Sequence, residues 1–287
     1  MKFCYFGGNV SLKESNIDQL EDAHFESVLF TYRQMQGDFF TIIARTMNLN
    51  QKIKYMVAIR PHALSAQYLT MINKSINSIQ KGRLQINIIS GHIKPDELDF
   101  GGIIGAVTDH SSVPDRTDYM IDYIQELDNM QKNNIEIPDC YVSCTNNYSL
   151  EAAAKLDYKI IFSYKDYKFG YFLDKSVEGQ EKPGDVFDLS GKKITLAISP
   201  IIRETQEEID SEFPKDVVVH LYGGKSYKDR PRFAKDTAYF TYDRFVSFIK
   251  ELEENGINEV LLNGIPESER DNLISYVKRY IEEHGRI

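Results

Sequence analysis

Three stretches of the chain gather residue types able to hold a polar, anionic or flat ligand. Asn87-Ile88-Ile89-Ser90-Gly91 sets an amide inside an apolar run and a hydroxyl at its end. A buried amide needs a hydrogen-bond partner, which a neighbouring backbone group or a ligand can supply. Val142-Ser143-Cys144-Thr145-Asn146-Asn147-Tyr148 runs into Leu150-Glu151-Ala152-Ala153-Ala154, a strand, a turn rich in hydroxyls and amides, and a helix start. Backbone N–H groups at a helix N-terminus favour a phosphate, although the same residues also make an ordinary cap. Arg116, in Asp109-His110-Ser111-Ser112-Val113-Pro114-Asp115-Arg116, carries a guanidinium fork suited to phosphate oxygens, with Asp115 and Asp118 as competing ion-pair partners. The polar candidates at the mouth are Arg33, His62, His92 and Tyr164; a histidine can work as acid or base near neutral pH, and His92, just after the Ser-Gly turn, is the preferred one. Asp109-His110 offers too few ligands for a metal site, so no metal is expected.

Those residues need strands and helices to bring them together, and the periodicity supplies them. Lys54–Gly91 reads as a strand, an Arg-Pro turn, a helix and a second strand. Leu69, Ile72, Ile76 and Ile79 recur at helical spacing, Ser65 is placed to cap the helix, and Gly82 stops it. Two parallel strands with a helix between them make one βαβ unit. The pattern continues along the chain. Candidate strands are Lys2–Phe6, Ser27–Thr31, Lys52–Ile59, Leu84–Ile89, Cys140–Cys144, Lys159–Ser163, Ile194–Ser199 and Glu259–Leu262. Helical stripes fall between them at Met120, Ile124, Leu127 and Met130, and at Phe245, Ile249 and Leu252 before Asn255-Gly256. Eight strands alternating with helices, and no polar linker, predict one α/β domain over residues 1–287, a (β/α)8 TIM barrel. An open doubly wound sheet would show the same alternation. Lys165–Lys192 and Glu212–Asp236, the latter with a strand-like run at Val217–Leu221, break the rhythm after the sixth and seventh strands. They read as insertions, either solvated decoration or a cover for the mouth.

Composition narrows the partners. A net charge of −9 without basic clusters argues against nucleic acid. No segment is long and apolar enough to span a bilayer, and the first ten residues carry too short an apolar stretch for a signal peptide. Cys4, Cys140 and Cys144 are odd in number and form no C-x-x-C, which suits a reducing cytoplasm.

The stretches Lys54–Gly91 and Pro138–Tyr164 resemble the luciferase-like flavin monooxygenases, the superfamily of bacterial luciferase and the alkanesulfonate monooxygenases. The likeness extends more weakly to Ile202-Arg203-Glu204-Thr205, similar to an I-V-R-E-T after the seventh strand in the sulfonate enzymes, and to Gly256-Ile257. The resemblance implies FMN, with the ring against Ala58, a small residue near the end of the third strand, and polar contacts from Asn87 and Ser90. It implies a phosphate site at Cys144, Thr145 and Asn146 with Arg116, and it matches Ser163-Tyr164 to a Ser-Trp pair beside the cofactor. The implied activity is a monooxygenase or oxidoreductase acting on a small organic substrate with reduced flavin and oxygen. A deazaflavin coenzyme used for hydride transfer, or a flavin-binding protein without turnover, are the alternatives. A homodimer and a flavin reductase are the implied partners. The catalytic pattern departs from the family: Met35 stands where the sulfonate enzymes have a cysteine, Tyr32-Arg33 near the Glu-His of luciferase, and Ala197 and Ser199 where the sulfonate enzymes have arginine and histidine. Arg33 and His92 are then the expected catalytic residues.

Overall fold

Short runs of apolar residues, buried on both faces, pair side by side until the ring closes. The computed structural model describes residues 1–8, 14–31, 38–48, 52–89, 113–144, 153, 158–163, 191–212, 237–263 and 269–285. In chain order the elements are β1 (Lys2–Gly8), α1 (Glu14–Asp22), β2 (Ser27–Thr31), α2 (Phe39–Thr46), β3 (Lys54–Ile59), α3 (Ala66–Ile79), β4 (Leu84–Ile88) and α4 (Val113–Lys132). They continue with β5 (Asp139–Ser143), β6 (Lys159–Ser163), β7 (Ile194–Arg203), α5 (Gln206–Glu212), β8 (Thr237–Thr241), α6 (Tyr242–Glu254), β9 (Glu259–Leu262) and α7 (Arg270–His284).

All strand pairings are parallel. β1 to β7 follow one another around the ring, β9 pairs with both β7 and β1, and no edge remains in the ring. Those β9 pairings, with β6 against β7, exclude the open sheet and establish the (β/α)8 TIM barrel. β8 lies outside the sequence expectation of eight strands. β7 pairs with β6 through Ala197 and with β9 through Ile198, then continues to Arg203 with β8 as its partner. Pro200, which has no N–H to give, stands just where the partners change. Thr237-Ala238-Tyr239-Phe240-Thr241 is a weak strand signal because it is short and its last residue caps α6. The segments read as insertions lie largely outside the described residues.

Local chemistry sets the helix ends as expected. Ser65 Oγ accepts the N–H of Tyr68 at 3.2 Å, and Gly82 takes φ 72°, the left-handed region that glycine adopts without a Cβ clash. Leu69 and Ile76 of α3 are buried, whereas Ile79 is exposed, so the stripe is shorter than its spacing suggested. The motif Arg203-Glu204-Thr205 proves to be a fastening. Thr205 Oγ1 accepts the N–H of Glu208 at 3.2 Å, and Glu208 Oε2 accepts those of Glu204 and Thr205 at 2.9 and 3.1 Å, a capping box on α5. Arg203, buried at the end of β7, grips both oxygens of Glu269 at 2.8 and 2.9 Å and donates Nε to Glu212 at 2.9 Å. One guanidinium thus ties β7 to the end of α5 and the start of α7.

Inside the ring, alternate residues of each strand face the lumen while the others pack under the helices. Strand tilt in an eight-stranded barrel lifts the register by about one residue per strand, so alternate strands contribute to each level. Applied to the observed register, this gives a floor of Ser27, Gln85, Lys159 and Glu259. Above it come Cys4, Met56, Tyr141 and Thr195, then Leu29, Asn87, Ile161 and Leu261, then Phe6, Ala58, Ser143 and Ala197.

Breaking the Arg203 fastening should be costly. Glu269→Ala leaves a buried guanidinium half-paired and should lower the unfolding free energy by about 3 kcal/mol in urea titrations. Arg203 also holds the Glu212 carboxyl below its ordinary value near 4.5 by hydrogen bonding. A lowered carboxyl stabilises the fold above its unfolded value and loses that contribution as pH falls through the folded one. Arg203→Met should therefore flatten the decline of stability below about pH 4.5.

Candidate active site

The C-terminal ends of the strands form the mouth, where the helices and loops of such barrels place their chemistry. Two of the four side chains at its first level, Ala58 and Ala197, are alanines, and a third, Ser143, is little larger. Three small residues cannot fill a barrel cross-section, so this level leaves room above Leu29, Ile161 and Leu261 for a flat group. Ala58 is 2% exposed and packs with the lumen cluster, its Cα registered between Thr31 and Asn87.

Polar groups rim that space. Ser143 Oγ donates to Asn87 Oδ1 at 2.9 Å, so the buried amide finds its partner on the neighbouring strand. Among the described residues the amide nitrogen of Asn87 meets no acceptor. Asn263, just after β9, has a buried Oδ1 with no hydrogen-bond partner among the described residues, while its N–H is taken by Ile198 O at 2.9 Å. One amide thus presents a donor and another an acceptor, a pair suited to the edge of a polar heterocycle. Arg60 follows Ala58 by two in extended backbone and lies on the same face of its strand, half-buried.

Strand parity corrects one expected contact. Cys144 packs its thiol in the outer core with Cys140 and Val142, its Sγ 3.8 Å from Val142 O, and its N–H goes to Ile161 O at 3.0 Å. Ser143 faces the lumen instead. Ser143, Ala197 and Asn263 lie in or just after other strands than Ala58 and Asn87, so only the register between strands brings them to the site. Arg116 falls in α4 and Ser163 ends β6 opposite Ala197, the side chains of both lying outside the described set. Arg33, Ser90, His92, Thr145, Asn146 and Tyr164 lie outside the described residues, as does the side chain of His62. Among the described residues no group of three His, Cys, Asp or Glu is placed to hold a metal, and no helix is long and apolar enough to cross a membrane.

Whole-chain structural neighbours share this architecture. The riboflavin lyase RcaE, solved with modified FMN and riboflavin, superposes with a TM-score of 0.68 at 11% identity over 99% of this chain and 92% of its own. A long-chain alkane monooxygenase, LadA, gives 0.64 at 13% identity over 95% and 83%. What they share with this chain is the (β/α)8 barrel fold. A coenzyme F420-dependent tetrahydromethanopterin reductase from Methanopyrus kandleri shares it, at 0.67 and 11% identity over 99% of both chains. Neither a sequence-family model nor a curated protein sequence matches the chain.

The three cysteines test the packing of both cores, Cys4 in the lumen and Cys140 and Cys144 under the helices. All are buried; burial pushes the Cys140 thiol up to about 12 and raises that of Cys4 well above its usual value. The thiolate is the reacting form. An aromatic disulfide reagent at pH 8 should find no reactive thiol in the native protein and three after denaturation.

Proposed function

We propose that this chain is a flavin-dependent oxidoreductase of the luciferase-like class, with FMN as cofactor, acting on a small organic substrate with reduced flavin and oxygen. One observation carries the reading: a mouth level of Phe6, Ala58, Ser143 and Ala197 that is too small to close the lumen, edged by the amides of Asn87 and Asn263. Neighbours of the same fold that are solved with FMN or described as monooxygenases support it.

The residues present fit a flat, edge-polar ring. Ala58 and Ala197 would admit its body, and the Asn87 amide and Asn263 Oδ1 would orient its edge. The turn at Thr145 and Asn146, with Ser90, Ser163 and Arg116, would hold the ribityl and phosphate groups. When bound, FMN supplies the electrons and the reaction with oxygen, which no side chain can. The protein's own contribution is placement and exclusion of water: Leu29, Ile161 and Leu261 give the mouth an apolar bottom. His92 is the group proposed to move protons on the substrate side, and Arg33 is proposed to supply a fixed positive charge there. With Ala197 and Ser199 in β7 in place of cationic groups, the substrate is taken to be other than a sulfonate. A homodimer, with exposed Tyr68 and Met71 of α3 as available contacts, and a separate flavin reductase belong to the same reading.

Deazaflavin is the second cofactor reading, because neighbours described as F420-dependent share the fold. Titration with FMN, riboflavin and F420, followed by absorbance and fluorescence, separates them, and oxygen uptake with reduced FMN tests turnover. FMN should bind, and a folded Ala58→Phe variant should lose that binding at least about tenfold by filling the mouth level. Unchanged affinity in that variant would remove the ring from Ala58. Arg116→Ala should weaken FMN about tenfold to a hundredfold and riboflavin, which lacks the phosphate, much less. Equal losses for both ligands would return Arg116 to a surface ion pair or a role in folding.

A further inference from the structure

The closed end of the lumen carries a level that the proposed chemistry does not use. Ser27, Gln85, Lys159 and Glu259 are all polar, where bulky branched residues dominate barrels of this type. Tyr141, from the level above, reaches across the lumen and donates its hydroxyl to Glu259 Oε2 at 3.3 Å. Thr195 Oγ1 donates to Glu259 Oε1 at 3.0 Å. Gln85 Nε2 donates to Tyr141 OH and to Asp139 Oδ2, both at 3.3 Å.

The lysines at this end make no direct ion pair with Glu259; Lys159 reaches it only through Tyr141, donating Nζ to that hydroxyl at 3.4 Å. Lys159 is held by Asp139 and sits 4.7 Å over the Tyr141 ring; Lys54 is 2.8 Å from Glu26, and Lys2 reaches Glu26 at 4.0 Å. Lys54 feels the Glu259 charge, but at a distance beyond ion pairing. Glu259, 8% exposed, thus has no ion pair among the described residues. Two oxygens of the same level, Ser27 Oγ and Gln85 Oε1, belong to residues 0% and 2% exposed and have no hydrogen-bond partner among the described residues. A buried carboxylate without a direct ion pair is costly, as are a Gln85 oxygen without a donor and a Ser27 oxygen with only the weak thiol of Cys4 beside it, and here they share one level.

We propose that this floor is a binding site for a desolvated monovalent cation, Na⁺ or K⁺, held by Glu259, Gln85 Oε1 and Ser27 Oγ, with the hydroxyl of Thr195 completing the shell. The donor set decides the class of ion. Neutral and carboxylate oxygens suit a hard cation, and one unpaired carboxylate balances one positive charge. Cys4, the adjacent thiol, is raised by burial and then by the Glu259 charge, so it stays protonated and does not recruit a soft metal. Water would satisfy the two oxygens but leave the carboxylate charge unbalanced. The site rests on the fold alone and is independent of the flavin reading.

The test is thermal unfolding of the full chain at constant ionic strength, with choline chloride replaced stepwise by NaCl or KCl. One of the two should raise the midpoint by about 2–4 °C and saturate. The rise should vanish in Gln85→Met, which removes Oε1 while keeping side-chain length, and in Glu259→Gln. Crystals grown in Rb⁺ should show an anomalous peak between Glu259, Gln85 and Ser27. Equal midpoints in all three salts, an undiminished rise in Gln85→Met, or density that refines as water alone would overturn the site. Should Glu259→Gln fail to fold, the wild-type titration and Gln85→Met still decide.

Discussion

Closure of the strand ring is the constraint on which everything else depends. A parallel strand leaves its N–H and C=O groups needing a neighbour on each side, and an eight-strand ring meets that need without an edge. Closing the ring requires the register to climb steadily from strand to strand. That climb sorts every inward side chain into levels of four, contributed by alternate strands. The positions of Ala58, Asn87, Tyr141 and Glu259 in the lumen are consequences of hydrogen bonding between backbones far from any site. The same alternation sends Phe3, Val57, Ile86 and Val142 outward to pack under the helices.

The two ends of the lumen meet opposite demands. At the mouth, alanines at 58 and 197 give up packing, and the helix shell must supply the stability that the lumen loses there. At the floor, Tyr141 links β5 to β9 across the interior, and a polar level replaces an apolar one. Between them Met56, Leu29, Ile161 and Leu261 form an apolar septum that keeps the two polar regions apart.

Outside the ring, the Arg203 cluster shows how a motif can carry a family resemblance while acting on the frame. Its guanidinium is spent on Glu269, Glu212 and the Ile202 carbonyl, with Nε and Nη1 donating over 2.8–2.9 Å. That position steadies the stretch where β7 leaves the ring and takes β8 as partner. A ninth strand can attach there because β7 runs five residues past its last pairing with β9, from Ser199 to Arg203.

The sequence by itself determined the alternating strand-and-helix order and most strand limits, while closure into a barrel rather than an open sheet was decided by the pairing of β9 with β1 and β7. Short apolar runs alternating with helical stripes reflect burial on two faces or one, and that signal is local. It also determined the helix stops at Gly82 and Gly256, because a left-handed backbone favours glycine over short range. It could not show β8, whose apolar run is only Ala238–Phe240, with Tyr239 exposed, and which merges directly into the cap of α6. Nor could it show whether Ser143 or Cys144 faces the lumen, since that depends on the register of β5 against β4 and β6. The floor around Glu259 is wholly a product of tertiary structure. Ser27, Gln85, Tyr141, Lys159, Thr195 and Glu259 come from six different strands, and only the tilt and closure of the ring place them together.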